Sequence, residues 1–422
     1  MNGLRITETK SETFNYFDND EKGARMKKLA INGGTPAFQK KIGYGHQYID
    51  DADIQAVVSV LKGEYLTCGP FIDEAEKKLC DITDSKHAVL VANGTAALHA
   101  TVFAAGIGSG DEVITTPLTF AASSNCVLYC GAKPVFADIN PETYNIDPDC
   151  IEKCITDKTK AVIAVDFTGQ AAEIQRIRSI CYKHNLTFIE DAAHSLGTKY
   201  AGKPVGSFAD LTEFSFHPVK TCTSGEGGAI TTNDDELYKR LLLFRTHGIT
   251  RNQEWMDRPS EGDWYYQQID LGYNYRITDI QAALLSSQLD KLDLFAKRRK
   301  ELVKRYDDAF AQIPEIIVQK EIPQSDTVRH LYIIQLKTEM LRANRREIFD
   351  ALQAEGIGVN VHYIPVYLFP YYQKLGYKAG SCPNAEKLYE RIISIPLFYG
   401  MTNKEQDRVI ETIQSIIDYF RN

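Results

Sequence analysis

The amino-acid sequence predicts an α/β protein, a mainly parallel sheet covered by helices on both faces and joined to a smaller α+β domain. Between about residues 50 and 290, short β-branched or aromatic runs alternate with helical patterns, as parallel strands linked by crossover helices require. A Lys- and Arg-rich helical stretch then runs from TDIQAALLSSQL toward residue 312, as a bridge would. Beyond it, HLYIIQL, REIFDALQAEG, GVNVHYI and KEQDRVIETIQSIIDYF mix strand and helix patterns on the scale of a small domain.

Taken in order, the first 25 residues show little hydrophobic periodicity and precede a second methionine, Met26; they read as a flexible extension or a consequence of start-site choice. HAVLVA is a strand followed by the helix TAALHATVFAAG, and DEVITT a strand followed by FAASSNCVLYC. KPVFADI and TKAVIAVDF continue the sheet, EIQRIRSICYKHN supplies a helix, and LTFIED returns to a strand. The expected large domain covers residues 26–295, with 26–50 packing on the small domain, which covers 296–422.

Composition bounds the chemistry. The chain has 422 residues, 44% of them hydrophobic, so a large core is available, and its net charge of -8 offers no general field for nucleic acid or an acidic membrane. Apolar runs stop well short of the roughly 20 residues a membrane helix needs, and Met1 to Arg25 does not resemble a signal peptide; a cytoplasmic location is expected. The nine cysteines, with Cys126/Cys130 and Cys150/Cys154 four apart, lack zinc or redox spacing, and no histidine pattern suggests a metal site.

Ligands of open α/β sheets bind at the carboxyl ends of the strands, so the loops there carry the search. In HAVLVANGTAAL, Asn93, Gly94 and Thr95 lie between a strand and an Ala-rich helix, where free N–H groups and the helix dipole favour a phosphate. The same residues also suit an ordinary N-cap with a turn glycine. LTFIEDAAHSLGT ends a strand with Glu190 and Asp191; a carboxylate there suits a cationic ring nitrogen, or a cap or salt bridge. His194, three residues on, either touches the same ligand or serves a backbone carbonyl. FSFHPVKTCTSGEGGAI sets Lys220 where a strand passes into a tight loop. An amine partly removed from water, near other cationic character, loses its proton and can form a Schiff base with a carbonyl. Phosphate cradle, ring-binding acid and Schiff-base lysine are together what pyridoxal phosphate asks of a protein.

From about Lys28 onward the chain resembles the DegT/DnrJ/EryC1/StrS sugar-nucleotide aminotransferases. The resemblance rests on KLAINGGTPAF, LTCGPFIDEAEKKL, NGTAAL, EDAAHSLG, FSFHPVKTCTSGEGGAITT, RTHGIT, GYNYRITDIQAALLSSQL and VNVHYIPVY. It implies fold type I of the pyridoxal-phosphate-dependent transferases, the aspartate aminotransferase-like architecture, with a seven-stranded sheet. It further implies that Lys220 binds the cofactor covalently and that Asp191 pairs with the pyridine nitrogen. Gly94, Thr95, Ala96 and Ser215 would hold the phosphate, with Phe120 stacked on the ring and His194 beside it. Asn274 would reach the cofactor phosphate of a neighbouring subunit in a homodimer with shared sites. Thr67, His217, Arg276, His362 and Tyr363 are the implied substrate contacts.

VDFTGQ, ANGTAALH and VHYIPVY are similar to the branch that makes UDP-4-amino-4,6-dideoxy-N-acetyl-β-L-altrosamine, a pseudaminic acid precursor. That likeness implies transfer of an amine from L-glutamate to C4 of a UDP-linked keto sugar, with Lys220 moving the proton. Cys222 stands where branch members usually carry an aliphatic residue, and the front extension has no counterpart in the branch. Other UDP-, dTDP- or GDP-linked keto sugars remain open as substrates, as does a non-catalytic cofactor-binding regulator. The related 3-dehydratases carry histidine in place of Lys220.

Overall fold

The computed structural model describes residues 28–422, so the front extension read at residues 1–25 lies outside the described residues. Seven strands form the central sheet: β1 (His87–Val91), β2 (Glu112–Thr115), β3 (Lys133–Phe136), β4 (Thr159–Val165), β5 (Thr187–Asp191), β6 (Leu211–Ser215) and β7 (Gly228–Thr232). Their spatial order is β1-β7-β6-β5-β4-β2-β3. β3, β2, β4, β5 and β6 pair in parallel, while β7 runs antiparallel to both β6 and β1. The sheet is therefore mainly parallel, as the alternating pattern predicts.

Alternate strand residues enter two cores, one on each face. Val89, Val113, Ile163, Ile189, Leu211 and Ile230 pack under the helix Gly94–Ala104, whose Ala96, Ala97, Ala100 and Ala104 let it lie close to the sheet. Leu90, Ile114, Val162, Phe188 and Phe214 face the opposite core. With both faces covered, each buried Val, Leu or Ile contributes about 1.5–3 kcal/mol of transfer free energy.

The long helix Leu292–Phe310 does bridge two cores. Leu292 and Phe295 join the sheet's core, whereas Leu302, Tyr306 and Phe310 belong to a separate C-terminal one. That second core forms around a three-stranded antiparallel sheet of Ile316–Val318, Tyr332–Leu336 and Ile392–Ile395, covered by the helices Arg345–Ala354 and Asn403–Phe420. Both helices start with capping boxes, from Asn344 with Glu347 and Thr402 with Glu405. Leu29 and Ile42 of the front segment insert into the same core, and the Ala30 and Ala37 N–H groups donate to the Glu355 carboxylate at 2.7 and 2.8 Å. No helix among the described residues is long and apolar enough to cross a membrane.

Candidate active site

The carboxyl ends of β1, β5 and β6 bring the motif residues to one edge of the sheet. Asn93 caps the helix Gly94–Ala104, its Oδ1 accepting the Ala96 N–H at 2.9 Å. Ala96, expected as a phosphate donor, has thus committed its N–H to the cap. Among the described residues no acceptor meets the N–H of Gly94 or Thr95, which leaves two donors at the positive end of a helix.

Gly94 has a packing reason to be glycine. A Cβ there would stand 2.7 Å from Glu213 Oε1 and 3.0 Å from Ser215 Oγ, so the bare backbone lets the helix start descend onto β6 and sets the Ser215 hydroxyl beside it. Gly228, in the GEGG run, is Ser215's partner in the ladder, and any side chain on it would collide with the Asn93 carbonyl. The glycine tail of the lysine motif therefore keeps β7 close to the start of that helix.

Asp191 ends β5 in a buried position. Its Oδ2 accepts the Ser123 hydroxyl at 2.6 Å and its Oδ1 the Ala193 N–H at 3.2 Å. Its partner across the parallel ladder is Glu213, fully buried, with neither carboxyl oxygen paired among the described residues. Lys220 follows in the loop after β6, its N–H donating to the His217 carbonyl at 2.9 Å. Burial lowers its amine to about 8, against the opposing pull of the Glu213 and Asp191 carboxylates. The expectation of cationic surroundings is not met: removal from water frees the amine, and the titratable groups acting on it, Glu213 and Asp191, are carboxyl groups.

Rings from the loops of the central sheet and from the C-terminal part of the chain wall the edge. Tyr363 Oη lies 3.4 Å from His194 Nε2, and the His194 ring sits 4.6 Å from that of His330. Burial pushes both imidazoles well below their ordinary value, so both are neutral donor–acceptors. His362 Nδ1 lies 2.8 Å from Ser394 Oγ and its ring 5.1 Å from Tyr44; burial, with a contribution from Lys220, lowers it to about 4. Phe120 is 62% exposed and stands 6.3 Å from the Tyr363 ring, a flat apolar face left open.

The other expected contacts are held by their backbones. Thr67, His217 and Asn274 are exposed, and Arg276 is half-buried. The backbones of Thr67, Asn274 and Arg276 bridge Thr278, Thr246 and Val91 respectively. Among the described residues none of their side chains hydrogen-bonds to the Lys220–Asp191 group. Cys222 is buried, its thiol donating to the Gln288 carbonyl at 3.5 Å, and so fills apolar space as an aliphatic residue would.

Sequence reading missed Ser123, Glu213, His330 and Tyr44. Glu213 left one signal, an acid inside the otherwise strand-like LTEFSF; the others left none.

Three relatives bear on this arrangement. The spore coat polysaccharide biosynthesis protein SpsC of Bacillus subtilis is 41% identical over 89% of this chain and 96% of its own length. A UDP-4-amino-4,6-dideoxy-N-acetyl-β-L-altrosamine transaminase of Campylobacter jejuni is 40% identical over 89% of this chain and 98% of its own. The pyridoxal-phosphate form of a sugar aminotransferase described as putative, Spr1654 of Streptococcus pneumoniae, superposes with a TM-score of 0.84 at 32% identity, covering 90% of this chain and 99% of that one. The residues present fit that cofactor: two free N–H groups and a hydroxyl suit its phosphate, a buried carboxylate its ring nitrogen, and an amine near pH-neutral protonation its aldehyde. The DegT/DnrJ/EryC1/StrS aminotransferase family model matches residues 47–414, and the chain belongs to that family as a pyridoxal-phosphate-dependent aminotransferase.

Proposed function

We infer that this aminotransferase acts on nucleotide-linked keto sugars, moving an amino group from L-glutamate to C4 of UDP-2-acetamido-2,6-dideoxy-β-L-arabino-hex-4-ulose. The products are 2-oxoglutarate and the 4-amino sugar, so the exchange balances without an external oxidant. The observation that carries this reading is the gathering of the Lys220 amine, the Asp191 carboxylate and the Gly94–Ser215 cradle at one sheet edge, in a chain alignable with nearly all of the Campylobacter transaminase.

When bound, pyridoxal phosphate supplies the electron sink for proton loss at the substrate carbon. The chain's own residues do the rest. Gly94, Thr95 and Ser215 would hold the phosphate, and Phe120 would pack on the ring. Asp191, an acceptor for Ser123 and Ala193, would receive the ring N–H. Lys220 is the residue that would hold the aldehyde, and its free amine, with a value of about 8, is suited to take and return a proton near neutral pH. His194, neutral and anchored by Tyr363, lines the ring edge, while His362 and Tyr363, with Thr67, His217 and Arg276, meet the sugar nucleotide.

The chain acts as a cytoplasmic homodimer in which Asn274 serves the partner's site. Trp264, 72% exposed, with the exposed Tyr266, Leu271 and Tyr273, gives the Asn274 segment the apolar surface of an interface.

The likeness to the spore coat polysaccharide protein favours a second reading, a different keto sugar on the same machinery. Offering the aminated-cofactor enzyme a panel of nucleotide 3-keto and 4-keto sugars, with mass detection of the amino sugar, separates the two. Preferred turnover of any other member sinks the first reading, and turnover of none sinks both.

A further inference from the structure

We propose that Glu213 is a positioning residue that keeps a proton at neutral pH and lends it as a hydrogen bond to the Asp191 carboxylate, holding Asp191 in its ionised, accepting form. The inference rests on the reading of Asp191 as the acceptor of the cofactor's ring nitrogen.

Glu213 and Asp191 are partners in the parallel β5–β6 ladder, so both side chains leave the same face, the one covered by the helix Gly94–Ala104. Glu213 is 0% exposed, and among the described residues neither of its carboxyl oxygens has a partner. Its Oε1 lies 2.7 Å from where a Cβ on Gly94 would stand, so the side chain packs against the start of the helix. Two ionised carboxylates side by side in a dry layer repel, and one of them must take a proton. Asp191 already receives two donors, from Ser123 and Ala193, which favour its charged form; Glu213 receives none. The proton therefore resides on Glu213, and the acceptor assigned to it is its ladder partner Asp191.

The titratable groups that face Glu213 are Asp191 beside it, Lys220 from the loop after β6, and Cys126 from the helix Ala122–Tyr129. Burial raises Glu213 well above the ordinary carboxylate value and Asp191 raises it further, while Lys220 opposes in part. Burial raises the Cys126 thiol as well, so it stays neutral.

Three variants test this. Glu213→Gln keeps a neutral donor, Glu213→Met keeps the volume without one, and Asp191→Asn removes the acceptor. In cofactor-free protein at neutral pH, the infrared difference spectrum of wild type minus Glu213→Gln should show the carbonyl band of a protonated carboxylic acid. In the loaded enzyme Glu213→Met should lose about 10-fold in turnover, the worth of one charge-assisted hydrogen bond. Glu213→Gln should recover most of that loss and remove any alkaline limb that the acid's ionisation contributes. Absence of the band, or a Glu213→Gln enzyme as slow as Glu213→Met, overturns the proposal. A band that persists while Asp191→Asn turns over like wild type leaves the Glu213 proton in place and overturns the role of Asp191 instead.

Discussion

The Ser123 hydroxyl donates a 2.6 Å hydrogen bond to Asp191 Oδ2, tying the first turn of the helix Ala122–Tyr129 to the end of the central strand β5. A charge-assisted bond of this kind contributes about 1.5–3 kcal/mol. Ser123→Ala should therefore slow turnover on the order of 10-fold, with the cofactor still bound. Asp191→Asn should keep the cofactor through the phosphate cradle yet lose on the order of 10²–10³-fold in rate, because the electron sink weakens while the anchor remains. Steady-state rates and bound-cofactor absorbance read both; an Asp191→Asn enzyme near wild-type turnover removes the residue from this role.

Lys220 should be the lysine bonded to the cofactor. Borohydride reduction of the loaded enzyme followed by peptide mapping should place the pyridoxyl group on it, and Lys220→Ala should not turn over. In cofactor-free protein its amine, lowered by burial to about 8, should react with an acylating reagent with a midpoint near that pH, well below ordinary lysines. A label on another lysine, or a midpoint near 10.5, contradicts the assignment.

Each active site should draw on two chains. Mixing Lys220→Ala with Asn274→Ala subunits concentrates both defects in one site of the mixed dimer and leaves the other intact, since a twofold contact is reciprocal. Activity should return from two impaired parents. With subunit exchange verified by mass and Asn274→Ala strongly impaired alone, no recovery assigns Asn274 to its own chain's site.

His362 links pH to stability. Its folded value of about 4 is depressed from an ordinary 6.5, so the stability it carries is fully present above 6.5 and drains away as pH falls toward 4, where the unfolded chain takes up the proton first. Between pH 7 and 5 this linkage amounts to about 2 kcal/mol. His362→Gln, which cannot titrate, should lose about that much less stability than wild type over the same interval in urea melts of the cofactor-free protein. Equal losses in the two proteins place the acid sensitivity elsewhere.

That Lys220, Asp191 and Gly94 stand at strand ends was legible in the sequence, because each lies in a short segment whose local pattern tells where it sits, whereas Ser215 entered through the family resemblance. A strand end followed by NGT, ED or a glycine-rich loop specifies a backbone geometry within a few residues, and the open-sheet rule then gathers such ends at one edge. The mainly parallel sheet and the bridging helix were equally legible, since hydrophobic periodicity is a local signal.

Residues whose role depends on a partner far along the chain were not legible. Ser123 meets Asp191 across 68 positions, and His330 meets His194 from the C-terminal part of the chain. The cap by which Asn93 takes the Ala96 N–H also shows only in the folded chain. Lys220 seemed to need cationic company, yet its surroundings are acidic and its lowered value comes from burial. The sequence by itself determined which residues stand at strand ends and what chemistry their side chains offer. Only the tertiary structure decided their protonation and pairing, because desolvation and hydrogen-bond competition depend on everything packed around a group, and those neighbours come from the whole chain.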